Sequence, residues 1–190
     1  MRKLITLAIA FLFLAGLFTF MAPSEAEGFK IPHAKTILAF RTLYGVDGPF
    51  VGDTNPIRDV NGDDLPWVIR KAVGKLNTNG RLRIVVRGLV FKDDPSVPPE
   101  LRGINDEEQF RGLVSCLTET VEGGEEVVRT VNVTTEGFPA TKSGDSTIKA
   151  KIELPNPCVA PIIMVLNGPG SEEEDKWFAV TGFEAEEEKD

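Results

Sequence analysis

The sequence has little of the chemistry on which most enzymes depend. It contains one histidine, His33, together with two cysteines, two tryptophans and one tyrosine in 190 residues. A Ser-His-Asp or Cys-His arrangement would have to use His33, and the count excludes a histidine-rich zinc site. No glycine-rich loop follows a strand and opens a helix, as a phosphate-binding loop requires. The sequence therefore favours a non-catalytic protein, with no catalytic residue and no cofactor-binding residue identified.

Carboxylates, in contrast, are abundant, with 29 Asp and Glu residues. A pair of acids can hydrolyse a glycosidic bond without any histidine. A carboxylate-dependent hydrolase acting on glycans is therefore the enzymatic alternative.

Helical periodicity is also missing after the first 26 residues. Short runs of alternating apolar and polar residues recur instead, separated by Gly, Pro, Asn and Asp. In residues 147–154, for example, Lys149 and Lys151 lie on the polar face of the predicted strand. Eight strands are predicted in this way, over residues 36–43, 67–76, 81–91, 110–118, 126–133, 147–154, 159–166 and 176–183.

Asn79-Gly80 predicts a tight hairpin turn between the second and third of these strands. In the third strand we expect one buried face, formed by Leu82, Ile84, Val86 and Val90. Segment 162–166 is apolar on both faces, which places its strand in the middle of a sheet.

These patterns predict a single all-β domain over residues 27–183, either a β-sandwich or a barrel. We favour the sandwich, immunoglobulin-like or jelly-roll-like, with about eight strands. The Cys-Trp-Cys spacing of antibody domains is absent, because no Trp lies between Cys116 and Cys158.

Cys116 and Cys158 are predicted to form one disulfide, since an even count in an exported chain favours pairing. We expect the bond to join one sheet to the other, with Cys116 on the buried face of its strand. Two free buried thiols are the alternative.

Residues 1–26 have the pattern of a signal peptide. Arg2 and Lys3 precede an apolar run, 4–22, and Ser24-Glu25-Ala26 is a small-x-small cleavage site. We expect a secreted, periplasmic or cell-envelope protein with no transmembrane segment after cleavage. An uncleaved membrane anchor is the alternative, because the run is long enough to span a bilayer.

The formal net charge is −8, and residues 184–190 form an acidic run that we expect to be a disordered tail. Such a chain is a poor general binder of nucleic acid. We expect its partner to be a cell-surface or extracellular macromolecule, whose identity the sequence does not give.

One predicted hairpin departs from this acidity, because residues 65–91 include several cationic residues and no acidic one. Arg81, Arg83 and Arg87 share its polar face and are candidates for anion binding. We favour a different interpretation, a solvated sheet face whose cations meet the acids of residues 119–126 on a neighbouring strand or protect a sheet edge.

Asp59, Asn61 and Asp63 have the ligand spacing with which a calcium loop begins. The sixth position is Asp64 where Gly is needed, and the twelfth is Arg70 where a Glu is needed. We therefore favour a polar turn at Asn61-Gly62, with calcium binding as a weak alternative.

Overall fold

The computed structural model describes residues 34–169 and 175–184. The predicted signal peptide, His33 and the acidic run after Glu184 lie outside these residues. Within them the only helical element is a 3-10 turn at Gly48–Phe50, and no helix has the length and apolar character needed to cross a bilayer. The prediction of an all-β chain is confirmed.

The described residues form eleven strands. They are β1 (Thr36–Phe40), β2 (Tyr44–Gly45), β3 (Asn61–Gly62), β4 (Trp67–Asn77), β5 (Arg81–Phe91), β6 (Gln109–Glu122), β7 (Glu125–Thr134), β8 (Phe138–Pro139), β9 (Ser146–Lys151), β10 (Val159–Leu166) and β11 (Lys176–Val180). The prediction of about eight strands was too low. β2, β3 and β8 have two residues each, which is too short for an alternating pattern to reveal them.

The strands form two sheets. The four-stranded sheet has the order β1-β4-β5-β9. The seven-stranded sheet has the order β2-β11-β10-β6-β7, with β3 paired to β11 and β8 paired to β6. β10 is central, as its two apolar faces predicted, and the β4–β5 hairpin has its turn at Gly80, which has a φ of +75°.

Aromatic and small residues bring the two sheets into contact. Trp67 of β4 stacks on Phe178 of β11, with ring centroids 4.1 Å apart. Gly112 of β6 faces the four-stranded sheet so closely that an added Cβ would lie 3.2 Å from Leu82 and Ile84 side chains. The main core therefore lies between the sheets, and even-numbered residues of this part of β6 point into it.

One predicted core position was wrong. Leu82, Ile84 and Val86 are buried as expected, but Val90 is only half-buried, and the buried residues beyond Val86 are Leu89 and Phe91. Gly88 lies between the two sets with a φ of +67°, a conformation that interrupts the alternation of faces. A two-residue pattern cannot show such an interruption.

The disulfide joins Cys116 and Cys158, and Cys116 is buried, as predicted. The expectation that it joins the two sheets was wrong. Cys116 lies in β6 and Cys158 directly precedes β10, which is the neighbour of β6 in the same sheet. Because Val159 pairs with Leu117, the two cysteine Cα atoms lie only 5.0 Å apart across one ladder.

Residues 46–66, which we call the covering loop, lie over the outer face of the seven-stranded sheet. Within the loop, β3 pairs with β11, and Phe50 packs near Trp177 with ring centroids 6.2 Å apart. Arg58 donates a hydrogen bond to the Ala160 carbonyl and accepts one from the Asn132 side chain. This sheet is therefore buried on both faces around β6 and β10.

Candidate functional site

The outer face of the four-stranded sheet has no comparable cover and is rich in cations. Lys75 of β4 pairs directly with Arg83 of β5, and Arg83 pairs directly with Lys149 of β9. Arg81 and Lys151 pair in the next row of the same face. Neighbouring strands lie about 4.8 Å apart, and successive residues on one face about 7 Å apart. We call these five residues the cationic face.

All five side chains are exposed. None of them forms an ion pair with any residue in 34–169 or 175–184. The expectation that acids of residues 119–126 meet these cations was wrong. Those acids lie at the β6–β7 hairpin of the other sheet, whereas the neighbour of β5 is β9, which brings two lysines.

Arg87 differs from Arg81 and Arg83, with which the sequence grouped it. Its side chain is half-buried, and its Nη1 donates to the carbonyls of Val86 and Ser146 at 2.7 and 3.1 Å. Part of this guanidinium is therefore already hydrogen-bonded to backbone carbonyls. In place of Arg87, strand pairing adds Lys75, Lys149 and Lys151, whose membership no pattern within a single strand reveals.

A row of smaller side chains separates the cationic face from Arg87. Val73, Val85 and Thr147 pair across the sheet there. Beside this row lies a groove of about 550 Å³, lined among others by Phe40 and Arg41 at one end and Arg83 at the other. The groove gives the open face a concave, partly apolar strip next to its cations.

Gly74 of β4 leaves room for the ring of Phe40, its partner on β1. A Cβ at Gly74 would lie 2.0 Å from the ring of Phe40, so any other residue would push the ring away.

A second shallow groove of about 470 Å³ is lined by the cationic face itself, with Asn77 at its end. The whole outer face is therefore accessible to a ligand that lies across the strands.

The three calcium candidates are placed differently. Asp63 Oδ2 accepts hydrogen bonds from Trp67 Nε1 at 2.8 Å and from the Leu65 amide at 3.4 Å, and burial raises the pKa of this carboxyl. Asp59 is exposed in a tight turn with Arg58, where both have positive φ. Asn61 belongs to β3.

The predicted turn at Asn61-Gly62 was therefore wrong, because these residues are β3 and the turn lies at Arg58-Asp59. The expected bonding of an Asp to a local backbone amide is confirmed for Asp63. In the described part of the chain, no three His, Cys, Asp or Glu side chains are grouped to hold a metal ion. Calcium binding stays the weak alternative, which a thermal melt with and without millimolar calcium tests.

The acids that a hydrolase would need are most concentrated at one cleft. Asp106, Glu107 and Glu108 line a space of about 440 Å³ with Asn167 and Gly168. Burial, and then the neighbouring acids, raises the pKa of Glu107, although its Oε2 accepts a hydrogen bond from the Gly168 amide at 3.3 Å. Among the described residues, none with an aromatic side chain lines this cleft to stack on a sugar ring.

No protein-family model, no curated protein and no solved structure matches this chain. A functional assignment therefore depends on the geometry of the two sheets and on the charges that they carry.

Proposed function

We propose that this protein is an exported, non-catalytic β-sandwich that binds a polyanionic polymer, of the acidic polysaccharide class, through the cationic face. The single observation that carries the proposal is the direct pairing of Lys75, Arg83 and Lys149 across three strands. Like charges directly opposite each other destabilise a sheet. A ligand with closely spaced negative charges would remove that repulsion, which makes such a ligand the natural partner of this face.

The proposed architecture has immunoglobulin-like strand order. The order β4-β5-β9 corresponds to strands A-B-E of that fold, and β11-β10-β6-β7 corresponds to G-F-C-C′. The stacking of Trp67 on Phe178 supports face-to-face packing of the two sheets. The disulfide departs from the antibody pattern, since it joins the strands equivalent to C and F within one sheet.

Export is supported by the residues at two places in the chain. The disulfide between Cys116 and Cys158 belongs to a type of bond that persists outside the reducing cytosol. Residues 1–26 have the order of charge, apolar run and cleavage pattern of a secretory signal. We propose the cell envelope or the extracellular space as the place where the cationic face meets its polymer.

A polymer fits this face better than a small anion. The five cations are exposed, where individual ion pairs contribute little and are screened by salt. Affinity therefore requires many simultaneous contacts, which a chain of repeated anions supplies. Phe40 is the one aromatic residue among the described residues that line the two grooves, and its ring packs against Gly74 on the buried side of the sheet, so charge and not ring stacking is the main source of recognition.

The test is the affinity of the full chain for a sulfated or uronate-rich polysaccharide, measured at low and moderate salt. Arg83→Gln with Lys149→Gln removes one Arg and one Lys from the cationic face. Arg129→Gln with Lys142→Gln removes the same charges from exposed positions elsewhere. We expect the first pair to weaken binding by about tenfold to a hundredfold, and the second pair to change it by less than about twofold.

Two results would count against the proposal. Equal losses in both double variants would show that net charge, not the cationic face, decides binding. Binding to anionic lipid vesicles with no binding to any soluble polyanion would replace the polymer by a membrane surface.

A second candidate is the carboxylate-dependent glycan hydrolase, and the observation that favours it is the raised pKa of Glu107 in a cleft beside Asp106. A general acid needs a carboxyl pKa that lies above its ordinary value, and the pKa of Glu107 is shifted in that direction. Turnover of chromogenic glycosides by the full chain, lost in Glu107→Gln, would support this candidate. An absence of turnover across a broad substrate panel would oppose it.

A further inference from the structure

We propose that the cationic face has a second occupant, the β6–β7 hairpin of another copy of this protein. The inference goes beyond the proposed function, because it requires no polymer. It is carried by the place of this hairpin in the fold, by the acids and apolar side chains that the hairpin exposes, and by the matching residues of the open sheet.

The β6–β7 hairpin extends past the sheet to which it belongs. β10 pairs with β6 only as far as Leu117, so beyond that residue β7 is the one neighbour of β6 among the described strands. We call residues 118–129 the hairpin arm. None of these residues is buried. The arm is therefore a two-stranded ribbon outside the core, and its surface is open to contact with another molecule.

One face of the arm carries acids and apolar side chains together. Residues directly opposite each other in an antiparallel pair share a face, and the register places Glu119 opposite Val128 and Val121 opposite Glu126. Val121 is 67% exposed and Val128 is 65% exposed. Both glutamates are exposed and form no ion pair with a described residue. This face of the arm therefore offers two free carboxylates and uncovered apolar surface to a partner.

The same face of the arm points away from the open sheet of its own chain. Even-numbered residues of β6, such as Gly112, point towards the four-stranded sheet, and the pairing of β6 with β7 continues without a bulge to Glu122. Glu119 and Val121 are odd-numbered and therefore point to the opposite side. A single chain does not bring this face of its arm onto its own cationic face, whereas two copies can.

The open sheet presents the complementary residues. Val73 and Lys75 lie two residues apart on the outer face of β4, and both line the groove of about 550 Å³. Val73 is 42% exposed, and Lys75 forms no ion pair with a described residue. Glu119 and Val121 are also two residues apart on one face, so the spacing is the same. An arm that lies along β4 in the opposite direction places Val121 on Val73 while Glu119 meets Lys75.

The contact joins different surfaces of the two molecules, so each pair keeps one free arm and one free cationic face. A contact of this kind does not close at the dimer, and the assembly grows as protein concentration rises. Exposed ion pairs are weak and are screened by salt, so the contact is reversible and is strongest at low salt. A polyanionic polymer competes with the arm for the same cations and therefore disperses the assembly.

The first experiment measures the average mass of the exported protein by sedimentation equilibrium, without polymer. We expect the mass to rise about 1.5-fold or more between about 10 µM and about 1 mM at low salt, and to stay near the monomer value at high salt. A protein that stays monomeric throughout this range at low salt would overturn the inference and leave the polymer test of the proposed function unaffected.

Two double variants separate the two sides of the contact. Glu119→Gln with Glu126→Gln alters the arm, and Lys75→Gln with Arg83→Gln alters the cationic face. Each variant alone should stay near the monomer mass. An equal mixture of the two should form a dimer and nothing larger, because each variant supplies the surface that the other lacks. A mixture that stays monomeric, or an arm variant that associates like the parent protein, would contradict the proposed contact.

The matched control removes two acids from positions outside the arm, through Glu100→Gln with Glu136→Gln. Both side chains are exposed and form no ion pair with a described residue. We expect this variant to associate like the parent protein. A loss equal to that of the arm variant would show that net charge, and not the arm, decides association, and the inference would fail.

The second experiment detects the contact itself by carbodiimide crosslinking. Protein at natural isotope abundance is mixed with an equal amount of isotope-labelled protein. Glu119 or Glu126 of one copy should then be joined to Lys75 or Lys149 of the other, and crosslinks found only within single chains would contradict the inference. Added sulfated polysaccharide should abolish the crosslinks between copies. If the polysaccharide binds while these crosslinks persist, the polymer lies elsewhere, and the proposed function fails while this inference stands.

Discussion

Arg111 and Arg83 point outward from the two sheets but have opposite surroundings. The Arg111 side chain is 8% exposed, donates to the Asn167 carbonyl at 3.1 Å and forms an ion pair with Asp175. Arg83 is exposed, has lysines on both sides and has no acidic partner in the described part of the chain. The cation of the covered sheet forms an ion pair within its own structure, whereas Arg83 of the open sheet has no such pair with a described residue, and we propose that a polymer supplies the missing negative charge.

Alanine substitution at each arginine is the test of this comparison with the largest expected effect. Arg111→Ala leaves the buried Asp175 carboxylate without its partner, so we expect a loss of about 3–5 kcal/mol in the free energy of unfolding. Arg83→Ala should change it by less than about 0.5 kcal/mol, because the side chain is exposed and its neighbours are like-charged. Chemical denaturation measures both, and similar losses would contradict the assignment of different roles.

Removal of the disulfide separates stability from binding. Cys116→Ala with Cys158→Ala opens a loop with a sequence separation of 42, for which chain entropy predicts a loss of up to about 4 kcal/mol. Because the bond lies in the seven-stranded sheet, polymer affinity should be unchanged wherever the variant is still folded. Loss of affinity in a variant shown to be folded by near-UV circular dichroism would mean that the two sheets are coupled.

Asp63 tests the covering loop. Asp63→Ala leaves the buried Trp67 Nε1 without an acceptor, and we expect a cost of about 1–3 kcal/mol. Asp63→Asn retains an oxygen acceptor and should lose less. Equal costs for the two variants would show that this hydrogen bond does not matter.

Asp63 also predicts a direction for the pH dependence. Burial raises the pKa of Asp63 above its ordinary value, so the folded chain holds this proton more tightly than the unfolded chain does. Its contribution to stability is therefore complete below the ordinary carboxyl pKa and declines as pH rises through the raised one. Relative to Asp63→Asn, the parent protein should lose stability across that window, and an opposite slope in denaturation curves would contradict the account.

The smallest expected effect distinguishes two arginines of one strand. Arg87→Gln removes side-chain donors to the Val86 and Ser146 carbonyls, so stability should fall by about 1 kcal/mol while polymer affinity stays within twofold. Arg83→Gln should instead weaken polymer binding and leave stability nearly unchanged. Similar losses of polymer affinity in the two variants would show that the binding surface continues past the Val73–Val85 row to Arg87.

Sequence patterns predicted much of the fold because alternation is a property of one strand at a time. They located the eight longer strands, the β4–β5 hairpin, the central place of β10 and the pairing of Cys116 with Cys158. They did not show which strand lies beside another. For this reason they missed the single-sheet location of the disulfide and the lysines beside Arg83.

Local conformation accounts for the remaining differences. The positive φ of Gly88 exchanges the faces of β5 after Val86, and the tight turn at Arg58-Asp59 moves the expected turn away from Asn61. The candidate site was predictable only in part, because sequence patterns do not show which strands are neighbours. Arg81, Arg83, Lys149 and Lys151 were each assigned to a polar face, but only the pairing of β5 with β9 places them together.

Lysine footprinting tests the central claim most directly. The rates at which Lys75, Lys149, Lys151 and Lys142 react with an acetylating reagent are measured in the full chain, with and without a sulfated polysaccharide. All four are exposed, and Lys142 lies in the turn between β8 and β9, outside the cationic face. We predict that the polymer slows the first three several-fold and leaves Lys142 unaffected. Equal slowing of all four, or slowing of none while the polymer is bound, would contradict the account.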